Sequence, residues 1–331
     1  TVQAISGASA DELERLTDKA RELGRSSAFS ATEVGQAMEY MGMAGWKTGQ
    51  MLAGIEGVLN LAAASGEDLA TVSDIVTDDL TAFHMEAEET ARMVDVMAQA
   101  ARSSNTNVQM MGETFKYAGT VAGAMGYQIE DMAIAAGLMA SSGIKASNAG
   151  TALRNIITRM TKPTKESAEA MAALGLSLER EDGTMHSFLE IMEQMRKGMS
   201  GMTETQKAYY AASLGGQRGM AGLLAIANST DQQFGSLTDA IYNAEGAARQ
   251  MAEIRLDNLD GDVEIFRDAL ADAGRELSQN MNGSLRGLVQ MGTGIVNSAA
   301  ARIPKAVQKI SAEFPTLQRK FKKFAQPVFS G

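Results

Sequence analysis

The stretch from residue 29 to residue 66 constrains the fold most, because its pattern is that of two consecutive helices. It reads FSATEVGQAMEYMGMAGWKTGQMLAGIEGVLNLAAASG, with a capped start, a bend marked by glycine and a second helix that ends at Gly66. A looser copy follows about 75 residues later, at 106–143, in a register that sets Val34 against Val108. The duplication predicts stacked helical hairpins, an arrangement typical of assembly proteins.

The composition favours helices along the whole chain. The 331 residues include 23 Met and only 4 Pro, and Ala, Met, Leu and Glu are good helix formers. Apolar residues make up 45% of the chain, enough for the core of one large or two ordinary domains. The 33 Gly residues are unfavourable inside helices, so most are expected at helix ends or close helix crossings. We therefore predict an almost all-α fold of antiparallel helical hairpins.

Several helix starts are marked by capping boxes, in which a Ser or Thr hydroxyl and a Glu or Gln side chain three residues later satisfy free N–H groups. The predicted boxes begin at Ser9, Ser30, Thr203 and Ser229. Between the last two lies the glycine-rich segment 214–222, which predicts a break between helices.

The segment 174–188 (LGLSLEREDGTMHSF) departs from the helical pattern. Leu176 and Leu178 alternate with polar residues, and the alternation resumes at Met185. Between them, Asp182 and Gly183 form a turn signal. Alternation on both sides of an Asp-Gly turn is typical of a β-hairpin, so we predict one small β-hairpin here.

Near the C-terminus, apolar residues recur at alternating steps of four and three, which is a strict heptad pattern. The seam consists of Ala252, Leu256, Leu259, Val263, Phe266, Leu270, Ala273 and Leu277. Because a seam this narrow is typical of coiled coils, we predict a C-terminal coiled-coil-like helix that joins copies of the chain into a homo-oligomer. The alternative is a stripe that packs against the rest of the same chain.

Charge is unevenly distributed. Residues 302–331 carry seven basic side chains and one acidic side chain, whereas residues 1–301 carry 23 basic and 39 acidic side chains. An acidic body disfavours nucleic-acid binding over most of its surface. The basic tail could contact DNA, an acidic partner or an anionic membrane through Arg319, Lys320, Lys322 and Lys323, or it could be a solvated end.

Nothing in the sequence predicts an enzyme, a cofactor or a metal site. The chain has no Cys and only two His, at positions 84 and 186. It therefore has few side chains of the kinds that usually bind metals or act as general acids and bases. The segment 42–48 (GMAGWKT) lacks the spacing of a phosphate-binding loop, and 215–219 (GGQRG) follows no predicted strand. We expect His84 to be a partly buried helix residue.

The acidic pairs have no spacing that marks catalytic carboxylates. Asp78-Asp79 and Glu130-Asp131 are instead expected on solvated helix faces or in first helical turns. The most apolar stretch, 121–144, contains the second pair, so no uncharged run reaches the length of a membrane-spanning helix.

A series of short motifs follows a specific order along residues 10–280. These motifs are FSATEV (29–34), AGW (44–46), LNLAAA (59–64), DIV (74–76), TAF (81–83), FKYAG (115–119), GIK (143–145), GTALR (150–154), KPT (162–164), LGL (174–176) with DG (182–183), GQR (216–218), and NL (258–259) with Gly261. Together they resemble the core region of phage tail tape measure proteins of the TP901 type.

The resemblance implies a non-enzymatic structural virion protein in a phage tail, or in a prophage-derived tail-like particle, that assembles in the host cytoplasm. Such proteins fill the tail tube, set tail length, contact tube and baseplate or hub proteins, and leave with DNA at ejection. The long helical ruler of a full-length member is missing and the chain starts at Thr1, so we expect a piece of a longer protein. Alternatives are a membrane-active ejection protein that forms a channel in the host envelope, and a cytosolic scaffold.

Four regions are expected along the chain. The duplicated helical hairpins occupy 1–160, and a helical region with the small β-hairpin occupies 161–250. The heptad helix and its continuation occupy 251–301, and the basic Pro-containing tail occupies 302–331.

Overall fold

The computed structural model of the chain describes residues 2–257. These residues form fourteen α-helices and one short 3₁₀ turn, Ala87–Glu89. The helices are α1 (Val2–Ser6), α2 (Ala10–Ser26), α3 (Ala31–Met43), α4 (Thr48–Ser65), α5 (Leu69–Ala82), α6 (Thr90–Ser103), α7 (Val108–Ala124), α8 (Ile129–Ser141), α9 (Ala146–Thr161), α10 (Lys165–Leu174), α11 (Phe188–Met199), α12 (Glu204–Ala227), α13 (Asp231–Tyr242) and α14 (Ala247–Leu256). The predicted all-α class is confirmed for this part of the chain.

Helix α8 lies at the centre of the fold. Every residue from Ile129 to Ala140 is buried, and the helix contacts α6, α7, α9, α11, α12 and α13. A helix that is apolar on all sides belongs in a core, and its 13 residues are too few to span a bilayer. The most apolar stretch of the sequence therefore becomes the centre of the body. Among residues 2–257, no helix has both the length and the apolar character needed to cross a membrane.

Five helix ends share one kind of connector, in which an N–H group donates back to the carbonyl five residues earlier. The donor–acceptor pairs are Trp46–Met41, Met85–Leu80, Tyr127–Ala122, Ile144–Met139 and Leu176–Met171. In each, the residue before the donor has the left-handed conformation, and the donor carries an apolar side chain onto the core. This geometry closes a helix and turns the chain into the next segment within a few residues.

Glycine supplies the left-handed residue in four of these connectors, and His84 supplies it in the fifth, with φ of 56°. The His84 side chain is exposed beyond the end of α5. It is therefore not the partly buried helix residue that its surroundings in the sequence predicted.

The capping boxes at Ser9, Ser30 and Thr203 form as predicted. The fourth box begins one residue later than predicted, at Thr230, and Gln233 closes it. The shift arises because the Ser229 hydroxyl donates instead to the carbonyl of Ile226, at the end of α12.

The predicted β-hairpin at 174–188 is reduced to a single antiparallel bridge between Glu179 and Met185. Around it, the backbone N–H of His186 donates to the carbonyl of Leu178 at 2.8 Å. Strands cannot extend further because Ser187 caps α11 only two residues after the bridge. No strand forms among the residues that the structure describes.

The predicted break at 214–222 is confined to Gly216, which kinks the otherwise continuous helix α12 with φ of 62° and ψ of −173°. The Arg159 side chain of α9 occupies the space beside it. A β-carbon at position 216 would lie 3.0 Å from the Arg159 Nη1 atom.

Candidate assembly surfaces

The glycine segments considered for phosphate binding belong to helices. The segment 42–48 is the end of α3 with its connector to α4, and 215–219 lies around the kink of α12. Among residues 2–257, no three His, Cys, Asp or Glu side chains lie together so that they could hold a metal ion. What the fold does contain is a set of buried or partly buried acidic side chains, several of which join helices.

The first of these contacts is an ion pair between Arg92 of α6 and Glu130 in the first turn of α8. The Arg92 Nε atom lies 2.6 Å from Glu130 Oε1, and Nη2 lies 2.7 Å from Oε2. Arg92 also reaches Glu89 at 3.1 Å. Glu130 is only 6% exposed, so this charge depends on its partner. Glu130 does lie in a first helical turn as predicted, but it is buried rather than solvated.

The neighbouring Asp131 is completely buried and accepts a 2.6 Å hydrogen bond from the Tyr242 hydroxyl of α13. Burial raises the pKa of Asp131, and the hydrogen bond from Tyr242 partly offsets this shift. Burial, together with the charge of Asp131, also raises the pKa of Tyr127 to about 12. The hydrogen bond between Asp131 and Tyr242 therefore links α8 to α13 from inside the core.

Asp79 of α5 is likewise buried, at 1% exposed, whereas its neighbour Asp78 is exposed as predicted. Burial, and then the charge of Asp78, raises the pKa of Asp79 well above its ordinary range. The sequence spacing could have predicted this burial. Asp79 follows Val76 by three residues and precedes Phe83 by four, so it lies on the apolar face of α5.

Helix α14 packs on α4 and α6, and two charged residues hold its ends. Its N-cap residue, Gly246, has no capping side chain, and Asp95 of α6 supplies the missing acceptor. The Asp95 carboxylate accepts the backbone N–H groups of Gly246 at 2.7 Å and Ala248 at 2.9 Å. At the other end, Arg255 donates to the carbonyl of Ala64, near the C-terminus of α4, at 3.4 Å.

The predicted oligomer seam begins on this helix. Ala252, its first member, is buried against the chain's own core, and Leu256, at the end of α14, is half-buried. The remaining predicted seam residues lie outside the described residues: Leu259, Val263, Phe266, Leu270, Ala273 and Leu277. The same is true of the predicted basic contact residues Arg319, Lys320, Lys322 and Lys323.

The body also has surface features suited to contacts with other proteins. Two open clefts, of about 780 and 950 Å³, meet at Asn228 and Ser229, between the ends of α12 and α13. Near the N-terminus, the large apolar side chains of Ile5, Tyr40 and Met43 are exposed, Met43 most of all at 59%. Large exposed apolar side chains of this kind are more frequent at interfaces than elsewhere on a surface.

The described residues thus form a helical body whose charged residues join helices and whose surface carries clefts and exposed apolar side chains. The sequence model of the family described as phage-related minor tail protein matches residues 17–216. This match covers more than half of the chain, and the chain belongs to that family.

Two curated proteins are similar to this chain over nearly its whole length. The tape measure protein of Pneumococcus phage Dp-1 is 35% identical over 313 residues, which is 95% of this chain and 26% of that protein. The probable tape measure protein of Escherichia phage P2 is 27% identical over 301 residues, which is 89% of this chain and 37% of that protein. The chain thus spans 26% and 37% of the lengths of these relatives, and no solved structure matches it. The resemblance to tape measure proteins is confirmed.

Proposed function

We propose that this chain is the folded core of a tape measure protein, which organises assembly of the phage tail and takes part in setting its length. The observation that carries this proposal is the 35% identity to a tape measure protein across 95% of the chain. The location follows from the same observation: the lumen or tip of a virion tail, or of a tail-like particle, after assembly in the host cytoplasm.

The shape of the body favours an assembly core over a ruler. A ruler is an extended helix that rises 1.5 Å per residue, so a deletion shortens it in proportion. Residues 2–257 instead form short helices that pack around the buried α8. We place the measuring function outside this body, in sequence that the longer relatives have in addition.

The proposed duplication is supported by equivalent positions in the two helical pairs. The N-cap residues Ser30 and Asn107 are 77 positions apart, and so are the left-handed exit residues Gly66 and Gly143. In this register the buried pairs are Val34 with Met111, Met38 with Phe115, and Met41 with Ala118. An offset of 77 residues replaces the predicted alignment of Val34 with Val108. These two residues are not equivalent, because Val34 is the fourth residue of α3 and Val108 is the first residue of α7.

We further propose that the seam from Leu256 to Leu277 gathers several copies of the chain, and that the helical body contacts tube and baseplate or hub proteins. The heptad spacing supports the first part, and the exposed apolar side chains and clefts support the second. The basic tail is proposed to contact DNA or an anionic membrane transiently during ejection, because it carries seven basic side chains and one acidic side chain.

Tail length in the phage that encodes this chain distinguishes the role of an assembly core from that of a ruler. In-frame deletion of residues 31–66, which removes α3 and α4, is expected to abolish tails, because it removes part of the buried core. The matched control is a deletion of equal length in the additional sequence to which we assign the measuring function, and this deletion is expected to give shorter tails. Tails shortened in proportion by the first deletion, seen by electron microscopy, would contradict the assembly-core role.

Self-association is tested separately on the purified chain of 331 residues. Light scattering is expected to show an oligomer that Leu259→Asp combined with Phe266→Asp converts to a monomer. A monomer in both cases would count against the seam. Leakage of dye from liposomes on addition of the chain would favour the membrane-channel alternative, which no observation on the described residues favours.

A further inference from the structure

Helix α14 is held differently from the other helices of the body. Its buried residues are three alanines, Ala247, Ala248 and Ala252, whereas the neighbouring helix α13 buries Phe234, Leu237 and Ile241. A helix of ten residues has little stability of its own, and alanine side chains remove little apolar surface from water. Met251 and Leu256 add partly buried apolar contacts, and the polar contacts at the two ends of α14 supplement this limited apolar burial.

Those polar contacts come mostly from α6. Asp95 accepts the first N–H groups of α14, and Arg102 donates to Gln250 at 3.2 Å. The helix N-terminus attracts the Asp95 carboxylate because its amides carry partial positive charge. At the other end, Arg255 lies so close over Gly66 that a β-carbon there would clash with the guanidinium group.

The seam starts on the same face that α14 turns toward α4 and α6. Ala252 is 4% exposed in the body, and Leu256 is half-buried beside it. A seam residue cannot pack against its own body and against another copy at the same time. By contrast, Ile254, on the outer face of α14 and not a seam residue, is 65% exposed.

We infer that the inner face of α14 is an interaction surface with two alternative occupants: helices α4 and α6 of the same chain, and the same face of a second copy. We call the hydrogen bonds from Gly246 and Ala248 to Asp95 the Asp95 clasp. While the clasp is closed, the first two seam positions are covered and association is weak. When α14 leaves the body, Ala252 and Leu256 become accessible to a second copy, and copies associate. This inference rests on the proposed self-association and states what regulates it.

The first test measures the opening of α14 in the full chain by thiol labelling. Since the chain has no Cys, Ala252→Cys introduces a single thiol on the inner face of α14. Ala133→Cys, at a fully buried position of α8, reports opening of the whole body. The thiol at position 252 is expected to react at least tenfold faster than that at 133. Equal rates would overturn the inference, because α14 would then open only on global unfolding.

The role of Asp95 is tested by adding substitutions to these two variants. Asp95→Ala is expected to speed labelling at 252 about tenfold and to leave labelling at 133 unchanged, while Asp95→Asn, which keeps one acceptor oxygen, has a smaller effect. Glu113→Ala, which removes an exposed acid of α7, is the charge-matched control and is expected to change neither rate. Equal acceleration at both positions, or none, would overturn the clasp.

Two further measurements need no Cys. Amide hydrogen exchange of the unmodified chain is expected to be faster in residues 251–256 than in α8, which covers the case in which Ala252→Cys does not fold. Light scattering is expected to show that Asp95→Ala lowers the concentration of half-association at least tenfold, because more chains have an open seam. Faster exchange with unchanged association would overturn the link between clasp and seam. None of these readouts depends on tail length, so the proposed function can fail independently.

Discussion

Arg92 and Glu130, 38 residues apart, form a two-point ion pair that fixes helix α6 against the first turn of the central helix α8. The two partners are not equivalent: the Glu130 side chain is 8% exposed, and the Arg92 side chain is 41% exposed. Loss of the arginine leaves a buried carboxylate without a partner, whereas loss of the carboxylate leaves an arginine that still reaches Glu89 and solvent.

We therefore expect Arg92→Met to destabilise the protein more than Glu130→Gln. The expected losses in free energy of unfolding are about 2–3 kcal/mol and about 1 kcal/mol, below the full cost of breaking a buried pair because Arg92 is partly solvated. Urea denaturation measures both. The control is Arg21→Met, whose partner Asp18 lies at 3.7 Å on the exposed face of α2, with an expected change below about 0.5 kcal/mol. Equal losses for the first two variants would contradict the asymmetry.

His84 occupies a position that glycine fills in the four similar connectors. The left-handed conformation costs a residue with a β-carbon about 1–2 kcal/mol, and glycine avoids this cost. Glycine also has more conformational freedom in the unfolded chain, which offsets part of the gain in stability. His84→Gly is expected to raise the free energy of unfolding by about 0.5–1 kcal/mol. Gly126→Ala, at the equivalent open position with φ of 71°, is expected to lower it by a similar amount. Loss of stability in His84→Gly would show that the imidazole makes a contact that matters.

Gly150 marks the close crossing of α7 and α9. A β-carbon there would lie 2.4 Å from the carbonyl oxygen of Thr114 and 2.7 Å from the Tyr117 β-carbon. Gly150→Ala should cost about 2–3 kcal/mol, because two backbones must move apart. At Gly35, within α3, an added β-carbon would have no atom within 4 Å. Gly35→Ala should therefore raise the free energy of unfolding by about 1 kcal/mol through helix propensity. Thermal denaturation of the two variants measures the contrast, and changes of the same sign would refute it.

The buried carboxyl of Asp79 gives the protein a pH dependence of predictable sign. Its pKa is higher in the folded than in the unfolded chain, so its contribution favours folding at low pH. That contribution falls as pH rises from the unfolded pKa of about 3.9 towards the folded pKa. Asp79→Asn should therefore gain about 1 kcal/mol over the wild type at pH 7 and lose this advantage towards pH 4.

Chemical denaturation at pH 4, 5, 6 and 7 measures this difference between wild type and variant. Asp74→Asn, on the exposed face of the same helix, provides the matched control. A gain for Asp79→Asn that is the same at every pH would show that the residue acts through packing and not through its charge.

Local sequence determined where most helices begin and end. Ser9, Ser30 and Thr203 cap helices because hydroxyl and carboxyl or amide groups three residues apart satisfy free N–H groups without help from the rest of the chain. The turn from α3 to α4 was equally predictable, since Gly45 adopts the left-handed conformation that ends the first helix. Local hydrogen bonding and backbone conformation are properties of a few neighbouring residues, so the sequence contains them.

Only the tertiary structure decided which side chains are buried and which distant residues meet. Asp131 lies in an ordinary acidic first turn, yet it is fully buried because α8 is covered by six other helices. No local sequence pattern marks Asp95 as a helix cap. It nevertheless caps α14 by accepting N–H groups of Gly246 and Ala248, which lie 151 and 153 positions later in the chain. Periodicity shows one apolar face of a helix, but packing of several helices decides what covers that face. For the same reason the heptad spacing at Ala252 predicted a seam, and only the folded body showed that its first residue packs against the chain itself.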